Sequence, residues 1–199
     1  MPRTRLAVLL ACTLLPLWSM PAKAVSDVWV PIGALQGGGE ASPMVGQEVT
    51  VAGVVTGNFN EGLGGFFLQN EGDGYPLTSE GLFVIAAEGS VLPGVQTGDR
   101  VRVSGFITEQ KADNRNGSLT ALRASHVEKT GRGEISPLRL TKAPQDWEAL
   151  EGMLVQIDAP LTLNSTDTRF GETIASFDGR LWTPTELAAP GSDKIKQVE

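Results

Sequence analysis

One residue of this chain, His126, has the chemistry of a neutral general base. A metal site that contains one histidine normally contains a second histidine or a cysteine as well, and neither residue lies near His126 in the sequence. The chain also lacks a nucleophile motif and a glycine-rich phosphate loop. We therefore expect His126 to lie on a strand surface or a barrel rim, and we predict that this chain alone is inactive as an enzyme.

Three carboxylates, Glu71, Asp73 and Glu80, bracket one glycine-containing loop. Oxygen ligands at this density can hold Ca²⁺, but their spacing matches no defined calcium loop such as an EF-hand. Carboxylates that simply keep a turn soluble explain the same pattern. The mismatch in spacing favours this second interpretation, and the sequence predicts no other metal site or cofactor.

Outward-facing aromatic residues are the first candidates for ligand binding. The alternation in two apolar runs predicts that Phe67, Gln69 and Phe83 point away from the core, with Phe59 and Tyr75 in flanking loops. Such side chains can stack on the bases of a single-stranded nucleic acid. Packing of the same aromatics beneath another segment of the chain is an equally good interpretation.

Cations that contact phosphate groups are confined to the second half of the chain. Residues 25 to 99 contain no lysine or arginine and nine acidic residues, so a surface built from them would repel DNA. The basic residues that follow on two predicted strands and their loop are Arg100, Arg102, Lys111, Arg115 and Arg123. Asp99, Glu109 and Asp113 offset them, which leaves a local balance of +2. We predict weak DNA or RNA contact along this edge, with an ordinary solvated strand as the alternative.

The elements that must position these residues are short strands. Four runs between residues 45 and 107 show the period of two that is typical of strands, and a fifth runs from Leu119 to Val127. No crossover helix fits before residue 130. This pattern predicts an all-β protein whose first unit is a five-stranded Greek-key barrel like the oligonucleotide/oligosaccharide-binding (OB) fold. An immunoglobulin-like sandwich, which needs about seven strands, is the alternative.

The N-terminal residues predict that the protein is secreted, into the periplasm or outside the cell. Arg3 and Arg5 precede an apolar run, and small residues at Ala22 and Ala24 fit a signal-peptidase site, so residues 1–24 are predicted to be a secretory leader. The run is shorter than the ~20 residues of a membrane anchor. The only cysteine, Cys12, lies in this leader, so the secreted chain is expected to contain no disulfide.

The secreted chain contains 13 basic and 23 acidic residues. We divide it into an extended lead-in at residues 25–46, the barrel at 47–130 and a linker at 131–146. A partial second β unit with a polar tail is expected at residues 147–199.

The ordered motifs VGQEVTVAGVVTG, GGFFLQ, DGYPLTSEGLFV and GDRVRVSG, followed by WEALEGMLVQI, APLTL, RFGE, GRLWTPT and APGSD, resemble the N-terminal region of secreted bacterial extracellular nucleases. In that family, an OB-fold module precedes a catalytic domain of the endonuclease/exonuclease/phosphatase superfamily. The likeness covers nearly the whole secreted chain. Each motif alone is weak, and their order and spacing carry the resemblance.

The resemblance implies that this chain is a non-catalytic accessory module of a DNA- or RNA-degrading enzyme, positioning substrate or docking on the nuclease domain downstream. A divalent metal (Mg²⁺, Mn²⁺ or Ca²⁺) is implied for the full-length enzymes, where it activates water against the phosphodiester. The alternative is an independent secreted β module that binds carbohydrate or protein, because a fold does not determine a function.

Overall fold

The computed structural model describes residues 29–111, 117–167, 169 and 171–188. The predicted leader, Arg115 and the polar tail from Ser192 lie outside these residues. The main strands are β1 (Glu48–Phe59), β2 (Gly65–Gln69), β3 (Gly81–Ala86), β4 (Asp99–Lys111) and β5 (Ser118–Arg132). The helices α1 (Ile32–Gln36) and α2 (Pro184–Leu187) are one turn each. The prediction of an all-β protein is confirmed.

The five main strands form one mixed sheet in the order β1-β2-β3-β5-β4. The order closes on itself because β1 pairs with both β2 and β4. Every pair is antiparallel except β3 with β5. Register shifts interrupt the β1–β2 and β4–β5 ladders, and such bulges bend a sheet sharply. One sheet therefore replaces the two packed sheets of the immunoglobulin-like alternative.

The core lies inside this sheet and follows the alternation of the strands. In β2, Phe66 and Leu68 are fully buried, whereas Phe67 between them is half-buried. In β1, Val51 and Val55 are likewise inaccessible to solvent. The inner faces of the strands thus form the core of the sheet.

The lead-in differs from the extended arm that the sequence predicts, because it contains α1. Ile32 and Leu35 are one helical turn apart, so they share one face, and both are buried against the core of the sheet. Pro31 precedes the helix, and Gly37, at φ 69°, ends it with its N–H bonded to the carbonyl of Gly33. The lead-in is therefore part of the core.

The region after the main sheet forms two further pairs of strands in the described residues. β6 (Leu138–Leu140) lies within the predicted linker and pairs in parallel with β7 (Val155–Ile157). β8 (Thr162–Asp167) and β9 (Glu172–Ser176) form an antiparallel hairpin. A 3₁₀ turn at Glu148–Leu150 precedes β7. Within the described residues, no helix has the length and apolar character needed to cross a membrane.

Candidate ligand-binding groove

A groove of about 690 Å³ runs across the outer face of β1, β4 and β5. Residues 50 and 52–54 of β1 line it, and Arg100 and Arg102 of β4 lie along one side. Trp29 and the start of the loop after β2 form the opposite side. We call this feature the basic groove.

Strand register places the two arginines side by side in the basic groove. Alternate residues of β4 face outward, so Arg100 and Arg102 are exposed while Val101 and Val103 enter the core. Across the ladder, Arg102 lies opposite Glu128, and their charged atoms are 3.7 Å apart. Both side chains are about half exposed, so this ion pair holds Arg102 only weakly.

Trp29 reaches the groove through the lead-in. Its backbone forms a bridge with Thr50, and the N–H of Val30 donates to the Thr50 carbonyl oxygen at 2.8 Å. Trp29 remains 58% exposed, so it is accessible to a ligand in the groove. The pairing of Trp29 with β1 is a long-range contact with no local signal, so the sequence alone does not place Trp29 in this groove.

His126 also lines the groove, beside the polar residues that join its strands. It lies opposite Ser104 in the β4–β5 ladder, and the Ser104 hydroxyl hydrogen-bonds the Thr50 hydroxyl across the β1–β4 boundary at 2.8 Å. The exposed position of His126 agrees with the strand surface that the sequence predicts. Among the described residues, no three histidine, cysteine, aspartate or glutamate side chains are grouped closely enough to hold a metal ion.

The predicted aromatic site lies at a second surface. Phe67 packs between Phe59 and Phe83, with ring centroids 5.8 and 4.8 Å away. Phe59 is 47% exposed, but Phe83 is only 5% exposed and offers no free face. Phe59 and Phe67 line a cavity of about 400 Å³ that does not include the two arginines. The aromatic and basic candidates therefore line different cavities.

The segment from residue 150 to 154 lies against the aromatic surface, where a Cβ atom on Gly152 would be 3.4 Å from Phe67 Cδ1. The Leu154 N–H donates to Gln69 Oε1 at 2.8 Å, so the amide oxygen predicted to contact a ligand binds the chain itself. The Ser79 hydroxyl donates to the Glu151 carbonyl oxygen at 2.5 Å. The packing of the aromatics beneath another segment, which the sequence left open, is observed for Phe67, which is half-buried beside Gly152.

Glu151 is an anchor of this segment that the sequence did not indicate. Its Oε1 accepts hydrogen bonds from the Thr120 N–H at 3.0 Å and from Gln36 Nε2 at 3.2 Å. Burial raises the pKa of this carboxyl group to about 7, and the nearby carboxylates of Glu148 and Glu109 also raise it. Because these partners are distant in sequence, no local motif signals the role.

The remaining predicted cations are dispersed. Arg123 is half-buried and lies opposite Phe106 in the β4–β5 ladder. Lys111 is exposed at the end of β4, opposite Ser118. Arg115 lies outside the described residues. Of the five predicted cations, the basic groove contains Arg100 and Arg102.

The predicted calcium ligands separate into a pair and a single residue. The Asp73 N–H donates to Glu80 Oε1 at 3.0 Å, which brings these two residues together. Glu71 is exposed. Burial raises the pKa of Glu80, and the neighbouring Asp73 carboxylate adds to the effect.

No protein-family profile matches this chain, and no curated protein matches it.

Proposed function

We propose that residues 47–130 form an OB-fold that binds single-stranded DNA or RNA in the basic groove, as a non-catalytic accessory module of a secreted nuclease. The observation that carries this proposal is the presence of Arg100, Arg102 and an exposed Trp29 in one groove. The strand order β1-β2-β3-β5-β4, with its single parallel pair, supports the fold assignment.

The chemistry of the groove suits a nucleic acid strand. Two arginines contact phosphates, and each exposed base has a flat face that stacks on an indole such as that of Trp29. Glu128 lies beside Arg102, and Glu71 also lines the groove, so two carboxylates oppose phosphate binding and we expect low affinity. Neutralising two phosphates of a single strand gives a salt slope of about −1.4 in log K against log salt.

Charge reversal in the groove tests the phosphate contacts. We expect the double variant Arg100→Glu/Arg102→Glu to lose at least about tenfold in affinity for a labelled oligo(dT) or oligo(rU) at low salt, measured by fluorescence anisotropy. The matched control is Arg139→Glu/Lys142→Glu, which changes the net charge equally outside the groove. An equal loss in both variants would assign the effect to net charge, and unchanged binding in the groove variant would exclude the groove.

Replacing the tryptophan tests base stacking. We expect Trp29→Ala to weaken oligonucleotide binding by about 1–3 kcal/mol. Trp147→Ala is the control, because Trp147 is similarly exposed at 55% and packs on Phe177 rather than lining the groove. Equal effects of the two variants would argue against stacking on Trp29.

The accessory role is tested by activity and by gene organisation. We expect the purified secreted chain to leave plasmid DNA intact in Mg²⁺ or Mn²⁺, and cleavage by pure protein would contradict the proposal. A coding sequence that continues in phase beyond Glu199 with histidine and acidic metal-site motifs would support it.

The cavity beside Phe59 and Phe67 favours carbohydrate binding as a second candidate. Aromatic rings at the mouth of a small cavity are typical of sites that hold a flat ligand face. Glycan-array binding that is lost in Phe59→Ala but retained in Arg100→Glu/Arg102→Glu would favour this function over nucleic acid binding.

A further inference from the structure

Two buried side-chain oxygens in the described part of the chain have no hydrogen-bond partner, namely Asn70 Oδ1 and Glu80 Oε2. Both residues belong to the loop between β2 and β3. The Asn70 N–H donates to the Glu80 carbonyl oxygen at 3.3 Å, continuing the register in which Gln69 lies opposite Gly81. Residues directly opposite in an antiparallel pair project to the same side. The two unpaired oxygens therefore belong to side chains that leave the same side of one hairpin.

A second carboxylate adjoins Glu80. Both Glu80 Oε1 and Asp73 Oδ2 lie close to the position of a Cβ on Gly33, at 2.9 and 3.1 Å, and Thr78 Oγ1 lies 3.1 Å from the same point. The other Asp73 oxygen, Oδ1, accepts the Tyr75 N–H at 2.7 Å, which orients the carboxylate. Oxygen atoms of three side chains thus converge beside the first turn of α1.

Residues 25 to 99 contain no lysine or arginine, and none of the ion pairs found in the described part of the chain involves Asp73 or Glu80. Glu80 is only 8% exposed, and a buried carboxylate is costly unless it is paired or coordinates a metal ion. The partnerless atoms are acceptors, so what they lack is a donor or a cation.

We propose that the loop from residue 70 to 80 binds one Ca²⁺ ion through oxygen atoms of Asn70, Asp73 and Glu80. Calcium suits this set because it takes six to eight oxygen ligands in flexible geometry and accepts amide carbonyls together with carboxylates. Backbone carbonyls and water complete the coordination. Two carboxylates imply the weak affinity of extracellular calcium modules, with a Kd of roughly 10⁻⁴–10⁻³ M.

Calcium titration of the chelator-treated secreted chain tests this proposal by calorimetry and thermal melting. A ligand that binds only the folded state stabilises it, and at Ca²⁺ about tenfold above Kd we expect the melting temperature to rise by roughly 3–6 °C. Mg²⁺ at the same concentration should produce a clearly smaller rise, because it demands near-octahedral geometry and retains its water.

Matched variants locate the ion. Glu80→Gln keeps an oxygen for the Asp73 N–H and removes the buried charge, so without calcium it should be at least as stable as the wild type. With calcium it should show no rise in melting temperature. Asn70→Ala should bind at least about tenfold more weakly. Glu71→Gln removes the same charge from an exposed neighbour and should retain the full response.

Three results would overturn the proposal. The first is a folded wild-type chain that shows neither heat of binding nor a melting shift up to about 10 mM Ca²⁺, well above the expected Kd. Water or a proton shared between Asp73 and Glu80 would then satisfy these atoms. The second is an equal response to Mg²⁺, and the third is an undiminished response in Glu80→Gln. None of these outcomes depends on nucleic acid binding in the basic groove.

Discussion

A Cβ atom on Gly81 would lie 2.2 Å from the carbonyl carbon of Gly152, so these two glycines allow two backbones to touch. The segment of residues 150–154 therefore packs directly against Gly81, the first residue of β3. Gly152 also adopts φ 67°, a conformation that glycine adopts without strain. The hydrogen bond from Leu154 to Gln69 fixes the same segment one strand away. The position of residues 150–154 beside Phe67 therefore depends on the absence of a side chain at residue 81.

Gly81→Ala should displace residues 150–154. The added methyl group meets backbone, which cannot rotate away, and we expect a loss of about 1–3 kcal/mol in the free energy of unfolding. Chemical denaturation measures this loss, and hydrogen exchange should show faster exchange of the Leu154 amide. Gly62→Ala is the control, because no atom lies within 4 Å of the added Cβ there. Equal stability of the two variants would show that the contact does not constrain the fold.

Glu151 should make the protein less stable at alkaline pH. Its pKa of about 7 in the folded protein exceeds the value near 4.5 expected when unfolded, so the folded state binds an extra proton between these values. The contribution of Glu151 to the free energy of unfolding is therefore complete below about pH 4.5, and it falls as the pH rises through 7.

Glu151→Gln should remove that dependence, since an amide oxygen can still accept from Thr120 and Gln36. Because the side chain is partly exposed, we expect a gain of only about 1 kcal/mol at pH 8 and near equality with the wild type at pH 4.5. Urea denaturation at both pH values measures this difference in the free energy of unfolding, and Glu88→Gln, at an exposed position, is the control. A variant that retains the wild-type pH profile would exclude Glu151 as the titrating group.

The parts of the fold that could be predicted from sequence are those governed by local periodicity. Alternation predicted that Phe67 points away from the core, and it lies on the face opposite the buried Phe66, because neighbouring positions on a strand point to opposite faces. Glycines and the polar loops between the runs indicated where the strands end.

Contacts between distant segments could not be predicted in this way. The approach of Gly152 to Gly81 and Phe67 joins segments that are distant in the chain, and the place of Trp29 in the basic groove depends on pairing with β1. The helix α1 was missed because one turn is too short to display a helical period. Because the sequence carries no local signal for such long-range contacts, it predicted one binding surface from aromatic and basic residues that line different cavities in the fold.

Asp99 should account for part of the stability that the folded protein loses at acid pH. The Gln96 N–H donates to its carboxylate at 2.9 Å, and Lys129 and Arg132 lie 2.9 and 2.7 Å from it. These contacts lower its pKa to about 2. The unfolded value is near 3.8, so the stabilisation is full above about pH 4 and disappears as the pH falls through 2.

Asp99→Asn should therefore lower the melting temperature at pH 7 and flatten its decline between pH 4 and 2. Thermal melts across that range provide the measurement, and Asp178→Asn, at an exposed position, provides the control. If the acid decline is as steep in Asp99→Asn as in the wild type, other carboxylates are responsible for it.

Two phenylalanines on opposite faces test the strand register itself. Phe66 is fully buried, whereas Phe106 on the outer face of β4 is 48% exposed. Phe66→Ala leaves a cavity in the core and should cost about 3–5 kcal/mol. Phe106→Ala should cost less than about 1 kcal/mol, since exposed substitutions usually have small effects. A shift of one residue in either strand would exchange its inner and outer faces, so a larger loss for Phe106→Ala than for Phe66→Ala in urea denaturation would contradict the observed pairing.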